Sequence, residues 1–265
     1  MRPGCRNLGR TLATPRIYLT GSITIEHGEQ LIRENNFPGR QGRIAFVYLT
    51  LHNHRPLPRA ELVDAIWSGS ATPQADSALD PILSKLRTLL RAAGLAPADS
   101  AVRSNSGTVS LQLPPEAWLD IEAASNALDE AEGALRRNDS SAWSLANVAA
   151  VISRRPFLAD LEAPWIEARR HALRAVRLRA LQCLASVSAG NHEPLLAIQH
   201  AMEIVEIDPF RETGYQLLMQ LHAAAGDRAE ALRVFARCRE LLRDELGVSP
   251  SPQTEAVYLD ILRAS

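Results

Sequence analysis

From Asp120 to Leu262 the sequence offers almost nothing but amphipathic helix, and that leaves few folds open to it. Apolar residues recur at helical spacing over 120–136, 141–153, 163–189, 194–206, 211–225, 228–245 and 251–262, separated by short polar or proline-containing links. A helix that is apolar along one side must bury that side against another element, so seven in succession have to stack on one another. Ala197-Ile198 and Ala231-Leu232 stand 34 residues apart, the period of tetratricopeptide repeats. A small side chain at both positions lets neighbouring helices approach closely, and Asp208-Pro209 closes the first repeat. Two repeats carry the signature clearly; a plain series of helical hairpins reads the same segments.

The preceding 113 residues are organised differently. Ile17–Ile25 is β-branched and roughly alternating, His27-Gly28-Glu29 is turn chemistry, and Gln30–Asn35 can return as a second strand. Pro38–Arg43 opens a helix through Ile44–Leu51, which Pro56 and Pro58 stop. Arg59–Trp67 is a second short helix, Ser68–Pro73 a loop, and Ser77–Ala92 a third helix. Val102–Ser104 and Val109–Leu113 flank Asn105-Ser106-Gly107 as a β-hairpin. Three helices followed by a hairpin form a winged helix-turn-helix. The expected fold is therefore mainly α: a small β-sheet, three helices and a hairpin wing over 16–113, then an all-α repeat domain over 117–265, with Pro114-Pro115 at the boundary. Residues 1–15 carry Arg2, Arg6 and Arg10 without an apolar stretch and read as a disordered arm rather than a signal peptide.

Charge follows the same division. The chain has a formal net charge of −1, but residues 1–113 hold 13 Lys+Arg against 8 Asp+Glu, and the remainder holds 16 against 22. A basic half is what a polyanionic partner requires. Within it the third helix is the informative element. Leu79, Ile82, Leu83, Leu86, Leu89 and Leu90 form its apolar stripe, while Ser84, Thr88 and Arg91 lie opposite and Lys85 and Arg87 flank the stripe on its two sides. Short hydrogen-bonding residues at the centre, with long cations toward either wall, suit a helix lying in the major groove. Any exposed helix over a core shows much the same pattern. Lys85 is the only lysine in the chain. Asp80-Pro81 reads as an N-cap and first helical residue, so the helix is expected to begin there, with Ser84 to Arg91 as its groove-facing part.

Two further segments fit a phosphate backbone. Gly39-Arg40-Gln41-Gly42-Arg43 places two cations at a helix start, where unpaired N–H groups favour an anion. Arg103, Asn105 and Thr108 lie on a polar hairpin tip suited to sugar and phosphate contacts.

Catalytic signatures are missing: the sequence contains no G-x-S-x-G, Walker loop, dinucleotide fingerprint or H-E-x-x-H. His52 and His54 have ligand-like spacing without a partner at a recognisable interval. Asp160, Glu162 and Glu167 around Trp165 suit a helix start better than acid–base chemistry. Neither enzyme activity nor any cofactor or metal is expected. Three scattered cysteines, Cys5, Cys183 and Cys238, and no apolar run of membrane length point to a reduced, cytoplasmic protein.

ELVDAIW (Glu61–Trp67), SALDPILSKLRTLL (Ser77–Leu90) and RETGYQLLMQLHAAAGDRAEALRVFARCRELLRDELGVSPSP (Arg211–Pro252) closely resemble the Streptomyces antibiotic regulatory protein family. Ala163–Arg170, with its Pro164-Trp165, resembles the family's central helix, and the likeness covers roughly residues 16–262. The resemblance implies a winged helix followed by a bacterial transcriptional activation domain. It implies a transcription activator that binds direct repeats in promoter DNA as a homodimer and engages RNA polymerase. Carried onto this sequence, Ser84, Lys85, Arg87, Thr88 and Arg91 would lie on the recognition helix, Arg40, Gln41 and Arg43 at the start of the first helix, and Arg103, Asn105 and Thr108 on the wing. The rival from another class is a helical-repeat interaction scaffold whose winged helix no longer binds DNA.

Overall fold

A computed structural model describes residues 14–67, 75–95 and 101–264. All but the last two residues of the arm expected over 1–15, and the whole of the loop expected over 68–73, lie outside the described residues. The chain forms two compact units. One holds the described residues up to Glu122 together with Pro156–Arg170; the other holds Ala123–Arg155 and the described residues from His171 onward.

The first unit opens with β1 (Arg16–Tyr18), β2 (Thr24–His27) and β3 (Gln30–Arg33). The alternating run from Ile17 to Ile25 is thus two strands rather than the single one its pattern suggests. Gly21 adopts φ +76°, which a residue with a Cβ rarely does, and there the chain doubles back so that Arg16 pairs with Glu26 and Ile17 with Ile25. The alternation continues through the corner because Leu19 and Ile23 are buried as fully as Ile17 and Ile25. Helix α1 (Gly39–Leu51), strand β4 (Leu57–Pro58), helix α2 (Arg59–Trp67) and helix α3 (Ala75–Ala92) follow. The wing is β5 (Val102–Asn105) and β6 (Thr108–Leu111), and β6 also pairs with β4. Ser106 at φ +40° and Gly107 at φ +82° supply the two positive-φ positions of a tight hairpin turn.

The chain then returns to the first sheet. Strand β7 (Trp118–Leu119) runs parallel to β1, giving the order β3-β2-β1-β7. Its register is secured by Asp120, which is fully buried. The Asp120 carboxylate accepts from Leu19 N at 2.9 Å, Thr20 N at 2.9 Å, Thr20 Oγ1 at 2.7 Å and Ile121 N at 2.8 Å. A buried carboxylate is tolerable only when its lone pairs are occupied in this way.

The second unit consists of α4 (Asp120–Arg136, from Ala123 on), α5 (Ser141–Arg154), the later turns of α6 (Pro164–Gly190), α7 (Pro194–Ile207), α8 (Glu212–Ala224), α9 (Arg228–Leu241) and α10 (Pro252–Arg263). These match the sequence-derived segments within a residue or two, except at the end of α9. There the expected single helix widens into a π turn over Leu242–Leu246, closed by Gly247 at φ +68°. Ala197 and Ala231, the residues that carry the repeat, are both fully buried in one cluster with Tyr215, Leu218, Met219 and Phe235. Gly214 is needed for close helix approach: a Cβ there would meet Ile204 Cγ2 at 3.0 Å and Val205 Cγ2 at 3.3 Å.

Helix α10 is moored by one carboxylate. Glu212 accepts from Ser251 N and Oγ, both at 2.8 Å, and from Thr254 Oγ1 at 2.5 Å, while Gln216 Nε2 donates to Thr254 Oγ1 at 2.8 Å. Burial pushes the Glu212 carboxyl up, but these hydrogen bonds outweigh it and hold the group below its ordinary value. A depressed folded-state pKa gives stability that is present above the unfolded carboxylate range, about pH 4.3, and lost as pH falls through the lower folded value. Glu212→Gln is therefore expected to lower the melting temperature at neutral pH and to flatten its decline between about pH 5 and 3. Thermal melts of both proteins across that range check this; parallel curves would assign the acid response to other groups.

Candidate nucleic-acid interface

Helix α3 carries the candidate surface. Leu79, Leu83, Leu86 and Leu90 are fully buried, and Ser84, Lys85, Thr88 and Arg91 are exposed on the far side. The helix does not begin at Pro81. It begins at Ala75, and Pro81 lies inside it. An interior proline costs about 3 kcal/mol, through the lost N–H and the ring's clash with the preceding turn. Two features offset this. Ala75 and Leu79 are buried, so the upstream turn adds core, and an arginine spans the weakened region. Arg59 donates from Nε to Asp76 Oδ1 at 3.0 Å, from one terminal nitrogen to Asp80 Oδ1 at 2.9 Å, and from the other to the Asp76 carbonyl at 3.0 Å. Asp76 and Asp80 are one turn apart, so one guanidinium braces both. The hydrogen bond that Arg59 donates to Asp76, supported by the one to Asp80, raises the Arg59 pKa despite some desolvation.

Asp80 thus has a partner within the protein, and its charge is compensated by Arg59 rather than left alone on the exposed side of α3. Arg59 does more. Its backbone N donates to Gly107 O at 2.9 Å, so a single residue ties the wing tip, the start of α2 and the first half of α3 together. Sequence reasoning passed over Arg59 as an ordinary helix start. The signal that could have found it was the pair Asp76 and Asp80 at i, i+4, which demands a nearby cation.

Arg87 has a comparable role at the other end of α3. Its Nε donates to Val102 O at 3.0 Å and its terminal nitrogen to Ser104 Oγ at 2.7 Å, so it spans from α3 to β5 and sets the wing against the helix. Thr88 Oγ1 donates to Ser84 O at 3.2 Å, and Thr108 Oγ1 to Asn105 O at 2.8 Å. On the wing Arg103 and Asn105 are exposed, and Thr108 is half-buried.

At the start of α1, Arg40 and Gln41 are exposed, whereas Arg43 is drawn inward. Arg43 pairs with Glu34 and, at 2.7 Å, with Asp160. Burial pulls the Arg43 guanidinium down, and the bonds to Asp160 and Glu34 more than restore it. Among the described residues, Arg40, Lys85, Arg91 and Arg103 make no ion pair, while Arg43 and Arg59 are each held by two carboxylates. The eleven sequence-derived candidates therefore separate. Arg40, Gln41, Ser84, Lys85, Thr88, Arg91, Arg103 and Asn105 present exposed side chains; Arg43 and Arg87 are committed to partners within the fold; Thr108 braces the turn.

The family described as "Bacterial transcriptional activator domain" matches residues 119–262. The chain belongs to this family. Its helical half is the matched domain, and its similarity to Streptomyces proteins extends the likeness through the winged helix. It is 30% identical over 225 residues to the regulatory protein AfsR of Streptomyces coelicolor, covering 84% of this chain and 22% of AfsR. AfsR of Streptomyces griseus is 28% identical over 252 residues, covering 94% of this chain and 24% of that protein. The family member thus spans about a quarter of the length of these relatives. The solved structure of Mycobacterium tuberculosis EmbR, in complex with a low-affinity phosphopeptide, shares the fold: its TM-score is 0.83 at 21% identity, over 94% of this chain and 65% of EmbR. These relatives are named as regulators, EmbR as a transcriptional regulatory protein.

Of the two histidines singled out from the sequence, His52 has a local use in this member. His52 Nδ1 lies 2.8 Å from Tyr48 O, and its ring packs on Tyr48 at 4.4 Å. Tyr48 donates to Glu61 at 3.0 Å, and burial first, then that carboxylate, pushes the Tyr48 pKa up to about 12. Among the described residues no three His, Cys, Asp or Glu side chains gather as a metal site, and no helix is long and apolar enough to cross a membrane.

Proposed function

We propose that this protein is a sequence-specific DNA-binding transcriptional regulator, an activator that binds promoter direct repeats as a homodimer and contacts RNA polymerase. In this reading residues 16–113 supply the DNA-binding winged helix and 117–265 the activation domain. Helix α3 enters the major groove with Ser84, Lys85, Thr88 and Arg91 toward bases and phosphates; Arg103 and Asn105 follow the backbone beside it; Arg40 and Gln41 approach a phosphate from the start of α1. Arg59 and Arg87 are positioning residues that hold α3 and the wing at a fixed angle.

The observation that carries the reading is the outer face of α3. It presents two unpaired cations and two hydroxyls, while the acidic residues of the same helix are turned to Arg59. An ordinary solvated surface has no requirement to separate its charges in this manner.

The test is a fluorescence anisotropy titration of the promoter region beside the protein's own gene, against a scrambled duplex, over several salt concentrations. Four to six phosphate contacts predict a log–log salt slope of about −4 to −5, with tighter binding to the promoter. Absence of binding at low salt would favour the scaffold reading. In vitro transcription with purified polymerase separates activation from simple occupancy.

A further inference from the structure

The link between α5 and α6 is built into the first unit although it is flanked on both sides by helices of the second. Gly21 N donates to Pro156 O at 2.7 Å, and Thr20 and Phe157 form an antiparallel bridge. Trp165 Nε1 donates to Ala65 O at the end of α2, at 3.1 Å, and its ring meets Tyr48 of α1 edge-on at 5.1 Å. Phe157, Leu158, Leu161 and Ile166 are buried.

The loop has one preset shape. Leu158 adopts φ +46°, a left-handed conformation that a residue with a Cβ rarely takes. Arg170 holds it there by donating to the carbonyls of Phe157, Leu158 and Leu161. The product of this arrangement is the position of Asp160, whose carboxylate is delivered to Arg43 at the start of α1.

Arg43 already has Glu34 as a partner, so the second carboxylate gives these three groups a net charge of −1 beside the exposed Arg40 and Gln41 of that helix start, which suit an anion. The two carboxylates are unequal. Glu34 is 32% exposed and Asp160 is 55% exposed, which makes Asp160 the one a competing anion can displace.

We propose that Asp160 competes with the DNA backbone for Arg43, so that the α5–α6 link sets how much positive charge α1 offers to a phosphate. This rests on the DNA-binding reading above. A phosphate reaching Arg43 must expel Asp160 and then tolerate its negative charge within a Debye length of about 8–10 Å. The link therefore holds the affinity below what the winged helix alone could reach, and any shift that withdraws the link raises it.

The experiment uses the full chain and its promoter duplex, titrated by anisotropy between about 50 and 300 mM salt. Asp160→Asn keeps the shape and removes the charge; it is expected to bind about five- to tenfold more tightly at low salt, with the slope steeper by about 0.9. Asp160→Asn combined with Arg43→Gln is expected to lose both gains. An affinity and slope equal to wild type for Asp160→Asn would overturn the inference while leaving DNA binding intact. A gain that survives in the double variant would overturn it too, since Arg43 would then be irrelevant. No binding by the wild-type chain overturns this inference and the functional reading together. Circular dichroism checks that each variant is folded, and Asp160→Ser supplies the same readout should the asparagine variant misfold.

Discussion

Replacement of Asp120 by Ala is expected to destabilise the first unit by about 3–5 kcal/mol, the largest effect of any single polar substitution considered. The carboxylate is fully buried and accepts four hydrogen bonds, three of them from backbone N–H groups at Leu19, Thr20 and Ile121. Removing it strands those donors, each at a cost of about 1–3 kcal/mol, less whatever water recovers in the space left behind. Domains of this size are stable by only about 5–15 kcal/mol, so the loss is a large share of the total. Asp120→Asn keeps one acceptor oxygen but brings an NH2 group against a backbone donor, and should fall between wild type and Asp120→Ala. Urea denaturation followed by circular dichroism measures the difference; a midpoint unchanged in Asp120→Ala would mean that the β1–β7 junction does not depend on this residue.

The second large effect concerns binding. Lys85→Ala combined with Arg91→Ala is expected to flatten the salt slope by about 1.8 and to weaken promoter binding by about 30- to 100-fold near 100 mM salt. Both side chains are exposed and unpaired, so stability should stay within about 0.5 kcal/mol of wild type. The contrast is Arg87. It stands on the same helix but spends its donors on Val102 O and Ser104 Oγ, so Arg87→Ala should weaken binding by loosening the wing while leaving the slope nearly unchanged. If Arg87→Ala flattened the slope and the double variant did not, the assignment of contacting and positioning residues would be reversed.

Helix positions were largely legible in the sequence because each helix is specified locally. The apolar spacing of α4 to α10 required no knowledge of partners, and Ala197 and Ala231 reported their own burial through their size and period. The hairpin wing was legible for the same reason: Ser106-Gly107 can take the positive φ values that a tight turn demands. Local reading failed where two conformations share one pattern. Alternation from Ile17 to Ile25 fits one long strand or two short ones, and only the turn at Gly21 distinguishes them. Asp80-Pro81 is equally good as a helix start or as a tolerated interior pair. The choice fell to Ala75 and Leu79, which gain a core, and to Arg59, which lies far away in sequence.

Charges show the limit most clearly. In the sequence Arg40, Arg43, Arg59, Lys85, Arg87, Arg91 and Arg103 are equivalent cations, and their type and helical phase are all that can be known. The fold decides which are spent. A carboxylate 17 or 21 residues away captures Arg59, and one 117 residues away captures Arg43. The sequence by itself determined the helical periodicities, the repeat, the wing and the excess of positive charge in the first 113 residues. Only the tertiary structure decided that the α5–α6 link packs with the winged helix, and which cations remain free, because ion pairing depends on distance in space and that is set by contacts between segments remote along the chain.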